Sequence, residues 1–577
     1  MNAQRKTYKL VLGVCALSAF VSAGSYAMQD DTPVPLGSQP IVKRRASPKP
    51  FSALLEASHQ RYFRHGGGSA PESAVEWGSV ATAPSSPLAP GDLDLAFDLD
   101  GKVTTQLGGS EDVLLAVALQ SDGKIVCAGY SSTGTTNTAV VLRYNTDGSP
   151  DNSFDGDGKI TETFGVGFTT ATSVAIQSDG KIVVGGYTRA AAPATGFDFF
   201  LLRYNSNGTL DATFDGDGKV TTDFASFDEA DALFIQPDGQ IVLTGYTNNN
   251  TPDRTYAALA RYNTDGSPDA SFGIGGKLIG HEGAAFAAVV QPDGQIVTAG
   301  WGCAVAICTQ NLDFTLARYG TTGTPDASFG TGGKATVAIS SGRDEARSIA
   351  LQPDGKIVAA GVNLSSAVAD PIAIIRLNTN GTPDPTFGAN GVVQTLPITV
   401  EDNFGLAIQV SGKIVVGGRY FPSSTDSDFA VVRLTGTGAL DSSFSGDGIA
   451  ITPFSNNQDG VTELCIQSNG RIVAVGFAEN QLGDIDAAVA RYLSPVFVSG
   501  RVTTPGGSGL RNAVVKIIDP LGGTQTTVTS SLGFYTFDNV SPGQSYTIKV
   551  FSKLYRFSPV MTQIDDDLPG LNFTGQE

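Results

Sequence analysis

Seven copies of one repeat fill the middle of this chain and constrain its fold more than any other feature. The clearest landmark is the motif Gln-x-x-Gly-(Lys/Gln/Arg)-Ile-Val, which recurs at intervals of 55 to 61 residues. It begins at Gln120, Gln177, Gln236, Gln291, Gln352, Gln409 and Gln467. A fixed period of this length indicates supersecondary units that bury their apolar faces against one another.

Two further landmarks also occur seven times. An Arg ends an apolar alternating run at Arg143, Arg203, Arg261, Arg318, Arg376, Arg433 and Arg491. The motif Asp-x-x-Phe begins at Asp94, Asp151, Asp211, Asp269, Asp326, Asp384 and Asp441. Each repeat contains four alternating runs, separated by turn sequences such as Asp179-Gly180 and Asn207-Gly208 that accept positive φ. Four antiparallel strands per repeat predict an all-β fold, a seven-bladed β-propeller over residues 91–494.

The order of the landmarks predicts how the ring closes. An Asp-x-x-Phe motif and a strand at 102–106 precede the first complete repeat, whereas the last repeat ends at Arg491 and Tyr492 without them. We therefore expect the N-terminal strand to supply the outer strand of the last blade. Such closure removes the free sheet edges that a linear array would leave.

Residues 1–27 are typical of a signal peptide. Arg5, Lys6 and Lys9 precede an apolar stretch that is too short to span a bilayer, and small residues lead to a cleavage site after Ala27. Residues 28–90 are rich in Pro, Ser, Ala and Gly and predict a disordered linker. We expect an exported monomer without a transmembrane segment in its mature chain, located in the periplasm, on the cell surface or in the medium.

Four cysteines remain after such cleavage. Cys303 and Cys308 are close together in a loop of an exported chain, which predicts a disulfide, and two buried thiols are the alternative. Cys127 and Cys465 lie in apolar runs and are interpreted as small core residues. No Cys has His neighbours at zinc spacing, so no metal cluster is predicted from them.

The repeat sequences resemble a known family. The stretches at 350–358 and 214–220 are similar to the delta-60 repeats of bacterial exported proteins, over roughly residues 91–492. This resemblance implies a repeat architecture outside the cytoplasm, and it supplies no catalytic residues to transfer. Residues 495–577, with alternating runs such as 546–550, resemble the carboxypeptidase regulatory-like, transthyretin-like β-sandwich. Such modules accompany peptidases without hydrolysing anything themselves.

Acidic residues recur at one place in the repeat. Five repeats have an acid eight residues before the landmark Gln, at Asp112, Asp228, Asp344, Glu401 and Asp459. The first strand of a propeller blade is innermost, so the loop before it borders the central channel. The sequence therefore predicts an acidic channel rim that attracts a cation or a basic group. The alternative is that each acid caps its own turn.

Charge and composition exclude some ligands. The chain has a formal net charge of −19, which repels phosphate backbones and excludes nucleic acid as a partner. The turns at 155–158 and 215–218 resemble calcium loops, but their equivalents at 273–276 and 330–333 have no acids. Turn geometry is therefore the favoured role of these segments. We predict no cofactor, with calcium left as an open alternative.

The sequence argues against catalysis. Enzymes need a base, a nucleophile or a metal held together, and the repeats contain one His, His281, and no partner set for a serine nucleophile. We expect a non-catalytic binding or structural protein that recognises an extracellular protein or glycan. Its binding face would carry the loops before the first strand and after the second strand of each blade. The alternative is a carbohydrate-active enzyme with carboxylates at the channel mouth, which a cluster of unrepeated polar residues in one pocket would favour.

Overall fold

The computed structural model describes the chain from residue 89 onward. The described ranges are 89–163, 167–189, 196–224, 227–248, 254–302, 312–363, 372–394, 396, 398, 404–423, 426–494, 496–541, 544–564, 568 and 570–577. The predicted signal peptide and nearly all of the predicted linker lie outside these ranges. Within them, no helix combines the length and hydropathy needed to span a membrane.

Each repeat forms one sheet of antiparallel strands hydrogen-bonded in chain order. After the N-terminal strand β1 (Lys102–Thr105), the first blade consists of β2 (Glu111–Leu119), β3 (Ile125–Ser132), β4 (Asn137–Tyr144) and β5 (Lys159–Glu162). The second consists of β6 (Thr169–Ile176), β7 (Ile182–Arg189), β8 (Phe197–Tyr204) and β9 (Lys219–Thr222). The third consists of β10 (Asp228–Ile235), β11 (Ile241–Thr247), β12 (Tyr256–Tyr262) and β13 (Lys277–Glu282).

The remaining blades repeat this pattern. The fourth consists of β14 (Ala287–Val290), β15 (Ile296–Gly302), β16 (Asp313–Tyr319) and β17 (Lys334–Val337). The fifth consists of β18 (Asp344–Leu351), β19 (Ile357–Asn363), β20 (Ile372–Leu377) and β21 (Val392–Val393). The sixth consists of β22 (Leu406–Ile408), β23 (Ile414–Ser423), β24 (Asp426–Leu434) and β25 (Ile449–Thr452), and the seventh begins with β26 (Asp459–Ile466), β27 (Ile472–Glu479) and β28 (Ile485–Tyr492).

The N-terminal strand completes the last blade. Strand β1 pairs antiparallel with β28, with Lys102 opposite Ala490 and Thr105 opposite Ala487. The described strands therefore form groups of four, and the last group contains strands from both ends of the repeat region. This pairing confirms the predicted closure, which leaves no blade with a missing outer strand. A single bridge between Glu111 and Ile485 joins the last group and the first into one eight-stranded sheet.

Side chains on both faces of each sheet pack against the neighbouring blades. Alternate residues of a strand point to opposite faces, so the inner strands are apolar on both sides. Val126 of the first blade and Val184 of the second share one core cluster with Phe154 of the Asp-x-x-Phe motif. Each blade is consequently held by apolar burial against two neighbours.

The landmark Arg joins each blade to the next. Arg143 donates from Nε to Oδ2 of Asp151 over 2.6 Å, and its Nη1 donates to the main-chain carbonyl of Ser206 in the second blade over 2.5 Å. The guanidinium carbon lies 4.5 Å from the ring centroid of Phe154. Contacts between the landmark Arg and Asp recur for Arg203, Arg261, Arg318, Arg376, Arg433 and Arg491. Arg143 reaches its Asp through one nitrogen and donates from the others to different partners.

Residues after the propeller form a separate β-sandwich. Its strands are β29 (Val496–Thr503), β30 (Val514–Ile518), β31 (Thr524–Val528), β32 (Phe534–Val540), β33 (Gln544–Phe551), β34 (Val560–Ile564) and β35 (Phe573–Thr574). One sheet has the order β32-β29-β35 and the other has the order β31-β30-β33-β34. Val498 from the first sheet and Val515 and Ile548 from the second are buried in one cluster, as a two-layer sandwich requires.

Candidate functional site

The variable loops of the propeller lie at one end of the blades. Glu111, at the start of β2, is opposite Ser132 at the end of β3, and Thr169 is likewise opposite Thr188. The loop that enters a first strand and the loop that leaves a second strand therefore share one face, as predicted. We call this end of the propeller the loop face.

The acids predicted at the channel rim are buried on this face. Asp112, Asp228, Asp344 and Asp459 have no exposed side-chain surface, and Glu401 lies outside the described residues. The Oδ2 atom of each described Asp accepts a main-chain N–H from the preceding loop. The donors are Leu107, Phe224, Ile339 and Phe454, at 2.6, 2.6, 2.9 and 2.7 Å.

The structure therefore corrects the predicted placement of these four acids. They lie beneath the loop that enters their blade, because its main-chain N–H groups need acceptors that water cannot reach. Burial raises the pKa of Asp228 to about 7 and that of Asp459 to about 6, so these carboxyls carry less charge at neutral pH than exposed acids would. This arrangement favours the alternative in which each acid caps its own turn.

The Asp-Gly-Asp-Gly turns also have a structural explanation. Asp155 and Asp215 have φ values of 50° and 48°, and the equivalent Gly273 and Gly330 have 54° and 55°. This left-handed backbone favours Gly and tolerates Asp, so the shared property of the position is its conformation. The side chain of Asp157 accepts the N–H of Lys159 over 2.9 Å, which is ordinary turn chemistry. The absence of a cofactor stays a prediction.

Two of the four cysteines lie in the apolar core, and the other two lie outside the described residues. Cys127 and Cys465 are free thiols packed in one apolar cluster. Burial raises the pKa of both, which makes them unreactive while the blade is folded. Cys303 and Cys308 lie outside the described residues, so their disulfide stays a prediction.

A β-bulge directs one side chain of a first strand into the central channel. The register between first and second strands shifts at the same place in five blades: Leu114/Ala116, Ala171/Ser173, Ala230/Ala232, Ala346/Ser348 and Val461/Glu463. The equivalent residues of all seven blades line a cavity of about 280 Å³. These seven residues, the channel ring, are Leu115, Thr172, Asp231, Phe286, Arg347, Phe404 and Thr462.

A glycine in the second strand makes room for each bulge. At Gly245, an added Cβ atom would lie 1.9 Å from the carbonyl oxygen of Glu229, the residue two positions before Asp231. Gly129 and Gly361 would meet the equivalent carbonyls of Val113 and Glu345 at the same distance. No larger residue fits at this position without moving the first strand. The bulge in the first strand therefore requires a glycine in the second strand.

Two arginines and a glutamate form a charged cluster in the fifth blade. The Nη2 atom of Arg347 donates to Oε2 of Glu345, and the Nη2 atom of Arg343 forms an ion pair with Oε1 of the same carboxylate. The guanidinium of Arg347 lies 4.1 Å from the ring centroid of Phe286, and that of Arg343 lies 5.5 Å from Trp301. These contacts fix Arg347 against a hydrophobic surface of the channel.

Two further carboxyl groups, those of Asp231 and Glu463, line the same cavity, and the pKa of each is raised. Burial, together with the nearby charge of Glu229, raises the pKa of Asp231 well above its ordinary range, while Arg347 opposes this shift. Burial raises the pKa of Glu463 to about 8. The Oε1 atom of Glu463 accepts the N–H of Leu464 over 2.8 Å and occupies space that a side chain at Gly405 would fill. Protonated carboxyls can donate as well as accept hydrogen bonds.

The sequence analysis missed the channel ring, although a signal for it exists. The ring lies five residues before each landmark Gln, at a position that contains five different residue types across the seven repeats. The landmark positions around it are invariant. Variation at one position of a regular repeat indicates that the fold of the blade does not require a particular side chain there.

Comparison with known families identifies the repeat. The profile of a domain of unknown function described as the DUF5122 beta-propeller matches residues 120–154, 177–214, 236–272, 291–329, 352–387 and 409–444. Six of the seven repeats are therefore DUF5122 β-propeller repeats. Each match runs from a landmark Gln to a landmark Phe, and the seventh copy has these landmarks at opposite ends of the repeat region. After the DUF5122 repeats, the carboxypeptidase regulatory-like domain profile matches residues 498–567.

Solved structures similar to this chain are distant in sequence. A protein of unknown function from Dyadobacter fermentans DSM 18053 is 12% identical, with 68% of this chain and 97% of that chain covered and a TM-score of 0.37. Polysaccharide lyase Uly1 is 12% identical, with 66% and 89% covered and a TM-score of 0.39. Drosophila Semaphorin 1b is 10% identical, with 68% and 86% covered and a TM-score of 0.37. No curated protein gives a significant match.

Proposed function

We propose that this protein is an exported, monomeric and non-catalytic binding propeller that takes an uncharged glycan in its central channel. The single observation that carries this proposal is the channel ring, which differs from blade to blade while the Arg, Asp, Phe and Gln landmarks do not. A purely structural ring would be expected to repeat as the landmarks do. Unrepeated side chains on a rigid scaffold are what recognition of an asymmetric ligand requires.

The chemistry of the cavity supports a neutral, hydroxyl-rich ligand. Asp231 and Glu463 favour their protonated forms, so they offer O–H donors and carbonyl acceptors without a net charge. Phe286 and Phe404 add apolar surface for the C–H groups of a sugar ring. A ligand with a strong charge of either sign would have to compete with the ion pairs already formed around Glu345.

The size of the cavity limits what enters it. Its volume of about 280 Å³ is close to the lower end of ligand pockets, which begin at roughly 300 Å³. It therefore suits one terminal residue of a glycan, while the variable loops of the loop face would contact the rest of the chain. The acidic surface of the protein disfavours polyanionic glycans as ligands.

A glycan array tests this proposal. The mature protein, residues 28–577, would be screened against neutral and acidic glycans, and hits would be measured by calorimetry. We expect D231N to weaken binding of the best ligand by about tenfold, the value of one neutral hydrogen bond. The matched control is D157N in an exposed turn, with unchanged affinity. No binding to any glycan, or equal binding by D231N, would overturn the proposal.

A carbohydrate-active enzyme is the second candidate. The observation that favours it is the presence of two unrepeated carboxyl groups, Asp231 and Glu463, in one cavity. An acid with a pKa of about 8 is protonated at neutral pH and can give its proton to a leaving oxygen. Glycosidase and lyase assays, which follow new reducing ends and unsaturated uronate absorbance, decide between the candidates. Turnover that E463Q abolishes would establish the enzyme and overturn the non-catalytic proposal.

A further inference from the structure

Paired aspartates occur where one blade meets the next. Single parallel bridges, Ser427 with Gln458 and Glu111 with Ile485, place the third strand of a blade beside the first strand of its neighbour. At four junctions Asp occupies the same position on both strands: Asp198 and Asp228, Asp313 and Asp344, Asp428 and Asp459, Asp486 and Asp112. Where the third strand has Thr138 or Tyr256, the next blade lacks this Asp. Like charges that occur together against their mutual repulsion point to a shared partner.

A loop serine satisfies the buried aspartate at two of these junctions. Ser340 Oγ donates to Oδ1 of Asp344 over 2.8 Å, and Ser455 Oγ donates to Oδ1 of Asp459 over 3.3 Å. The residue at the equivalent loop position before Asp112 is Gly108, which has no hydroxyl.

Two junctions therefore retain a carboxylate oxygen without a donor. The side chain of Asp228 accepts hydrogen bonds from Phe224 N–H and from Thr247, yet among the described residues Oδ1 of Asp228 and Oδ1 of Asp112 are buried and have no hydrogen-bond partner. A buried, unsatisfied carboxylate oxygen is costly, and natural structures satisfy such atoms with protein, water or an ion. A ligand at these junctions would remove that cost.

Three carboxylates converge at the junction of the second and third blades. Asp198 lies on β8, Asp223 follows β9 and Asp228 begins β10. One oxygen from each lies within 4.8 Å of the others. Asp228 has no exposed surface, whereas Asp223 is exposed and gives access from solvent.

We propose that Asp198, Asp223 and Asp228 bind one divalent cation and that Ca²⁺ is the ion they favour. Three carboxylates without His or Cys form a hard, all-oxygen donor set, which suits Ca²⁺ or Mg²⁺ rather than zinc. Ca²⁺ accepts six to eight oxygens in flexible geometry, whereas Mg²⁺ demands a near-ideal octahedron. The main-chain carbonyl of Asp223 already accepts Lys277 Nζ over 3.0 Å, so waters would complete the coordination.

Calorimetry on the mature protein tests the site. Residues 28–577 would be stripped with EDTA and titrated with CaCl₂ and, separately, with MgCl₂. We expect binding of Ca²⁺ with a dissociation constant of roughly 10⁻⁴ to 10⁻³ M, the range of extracellular calcium modules, and weaker binding of Mg²⁺. The variant D198N/D223N should bind one equivalent fewer, because Asp228 alone cannot hold the ion. It keeps Asp228 as the cap for Phe224, so its fold is retained.

A matched control separates this site from general surface charge. D313N changes the residue that corresponds to Asp198 at the junction where Ser340 donates to Asp344. This variant should therefore bind as many Ca²⁺ ions as the parent protein. The melting temperature should also rise in CaCl₂ relative to EDTA, and less so in D198N/D223N. Absence of both heat and stabilisation in millimolar CaCl₂ would overturn the proposal. The proposal would also be overturned if D198N/D223N bound as many Ca²⁺ ions as the parent protein, or if D313N lost as many bound ions as D198N/D223N. Glycan binding has no part in these measurements, so the two proposals can fail independently.

Discussion

Arg491 donates from Nε to Oδ2 of Asp94 over 2.8 Å and so joins two residues that are 397 positions apart in the chain. In the other blades the same pair is eight residues apart, as in Arg143 and Asp151. The Nη1 atom of Arg491 also donates to the carbonyl of Thr146 in the first blade over 2.5 Å. The contact between the landmark Arg and the landmark Asp, which occurs in every blade, thus also joins the two ends of the repeat region and closes the ring.

Loss of Asp94 should destabilise the propeller more than an exposed substitution nearby. D94A would leave Arg491 and Arg471 without the carboxylate that both contact, at a cost of about 3–5 kcal/mol for a broken buried pair. Urea unfolding measures this difference. D92A, two residues away and exposed, is the control and should stay close to the parent. Equal stability of D94A and D92A would contradict the role assigned to this contact.

Removal of the closing strand should open the last blade. A chain that starts at residue 108 loses β1 and the buried side chains Phe97 and Val103, and it exposes the edge of β28. We expect a clearly lower melting temperature and self-association by light scattering. The control starts at residue 89 and keeps β1. Identical melting and a monomeric state in both truncations would refute closure as a source of stability.

Stability should reach its maximum near pH 4–5. Despite burial, hydrogen bonds and cationic neighbours lower the pKa of Asp211 and Asp441 to about 2, so their contribution is lost as the pH falls below 4 towards 2. Burial raises the pKa of Asp459 to about 6 and that of Glu463 to about 8, so their neutral forms favour the fold at low pH and this advantage is lost as the pH rises through those values.

Melting temperatures from pH 2 to pH 9 test both limbs of this profile. D441N should flatten the acidic limb, and E463Q should flatten the decline between pH 4.5 and pH 8. D122N, in an exposed turn, should leave the profile as it is. A melting temperature that rises steadily from pH 5 to pH 8 would show that the sign of this dependence is wrong.

The cysteines should behave as two distinct pairs. We expect Cys127 and Cys465 to be free and to react with a thiol reagent only after unfolding, because both are packed in the apolar cluster and burial raises their pKa. Cys303 and Cys308 should form the one disulfide. Mass spectrometry of the non-reduced mature protein measures both. Rapid labelling of Cys127 in the native protein, or two free thiols at 303 and 308, would contradict this prediction.

The glycine opposite a bulge should not tolerate a methyl group. G245A places a Cβ atom against the carbonyl of Glu229, so the first strand must move and the free energy of unfolding should fall by about 1–3 kcal/mol. Because this strand contains Asp231, ligand binding in the channel should weaken as well. G436A is the matched control, since its Cβ would meet its nearest neighbour at an ordinary 3.6 Å. Parent-like stability of G245A would show that the strand yields without cost.

The architecture could be predicted because its determinants repeat. The turn glycines, the landmark Arg and the Asp-x-x-Phe motif each have one physical role at seven places, so a single sequence contains seven independent indications of that role. The strand at 102–106 could be assigned to the last blade for this reason, although it lies at the opposite end of the repeat region from Arg491. The segment with Cys303 and Cys308 occurs once and allowed no such comparison.

The channel could not be predicted by the same reasoning. Strict alternation along a strand assigns side chains to faces, but a bulge adds one residue and reverses this assignment locally. Asp231 therefore points into the channel, although strict alternation along its strand does not predict this, and only the variability of its repeat position indicates it. The acids eight residues before each landmark Gln were misplaced for a different reason. The buried N–H groups that need them, such as that of Phe224, belong to a loop whose path the sequence does not specify.

The closing strand also fixes the order in which the molecule can be completed. A ribosome makes β1 first and β28 last, so the two partners of the final sheet are separated in time by the synthesis of nearly 400 residues. Until Tyr492 has emerged, the nascent chain has six complete blades at most and an N-terminal segment with nowhere to dock. The ring can therefore close only when the whole repeat region is present. A chain shortened by premature termination or proteolysis keeps an unpaired, exposed sheet edge.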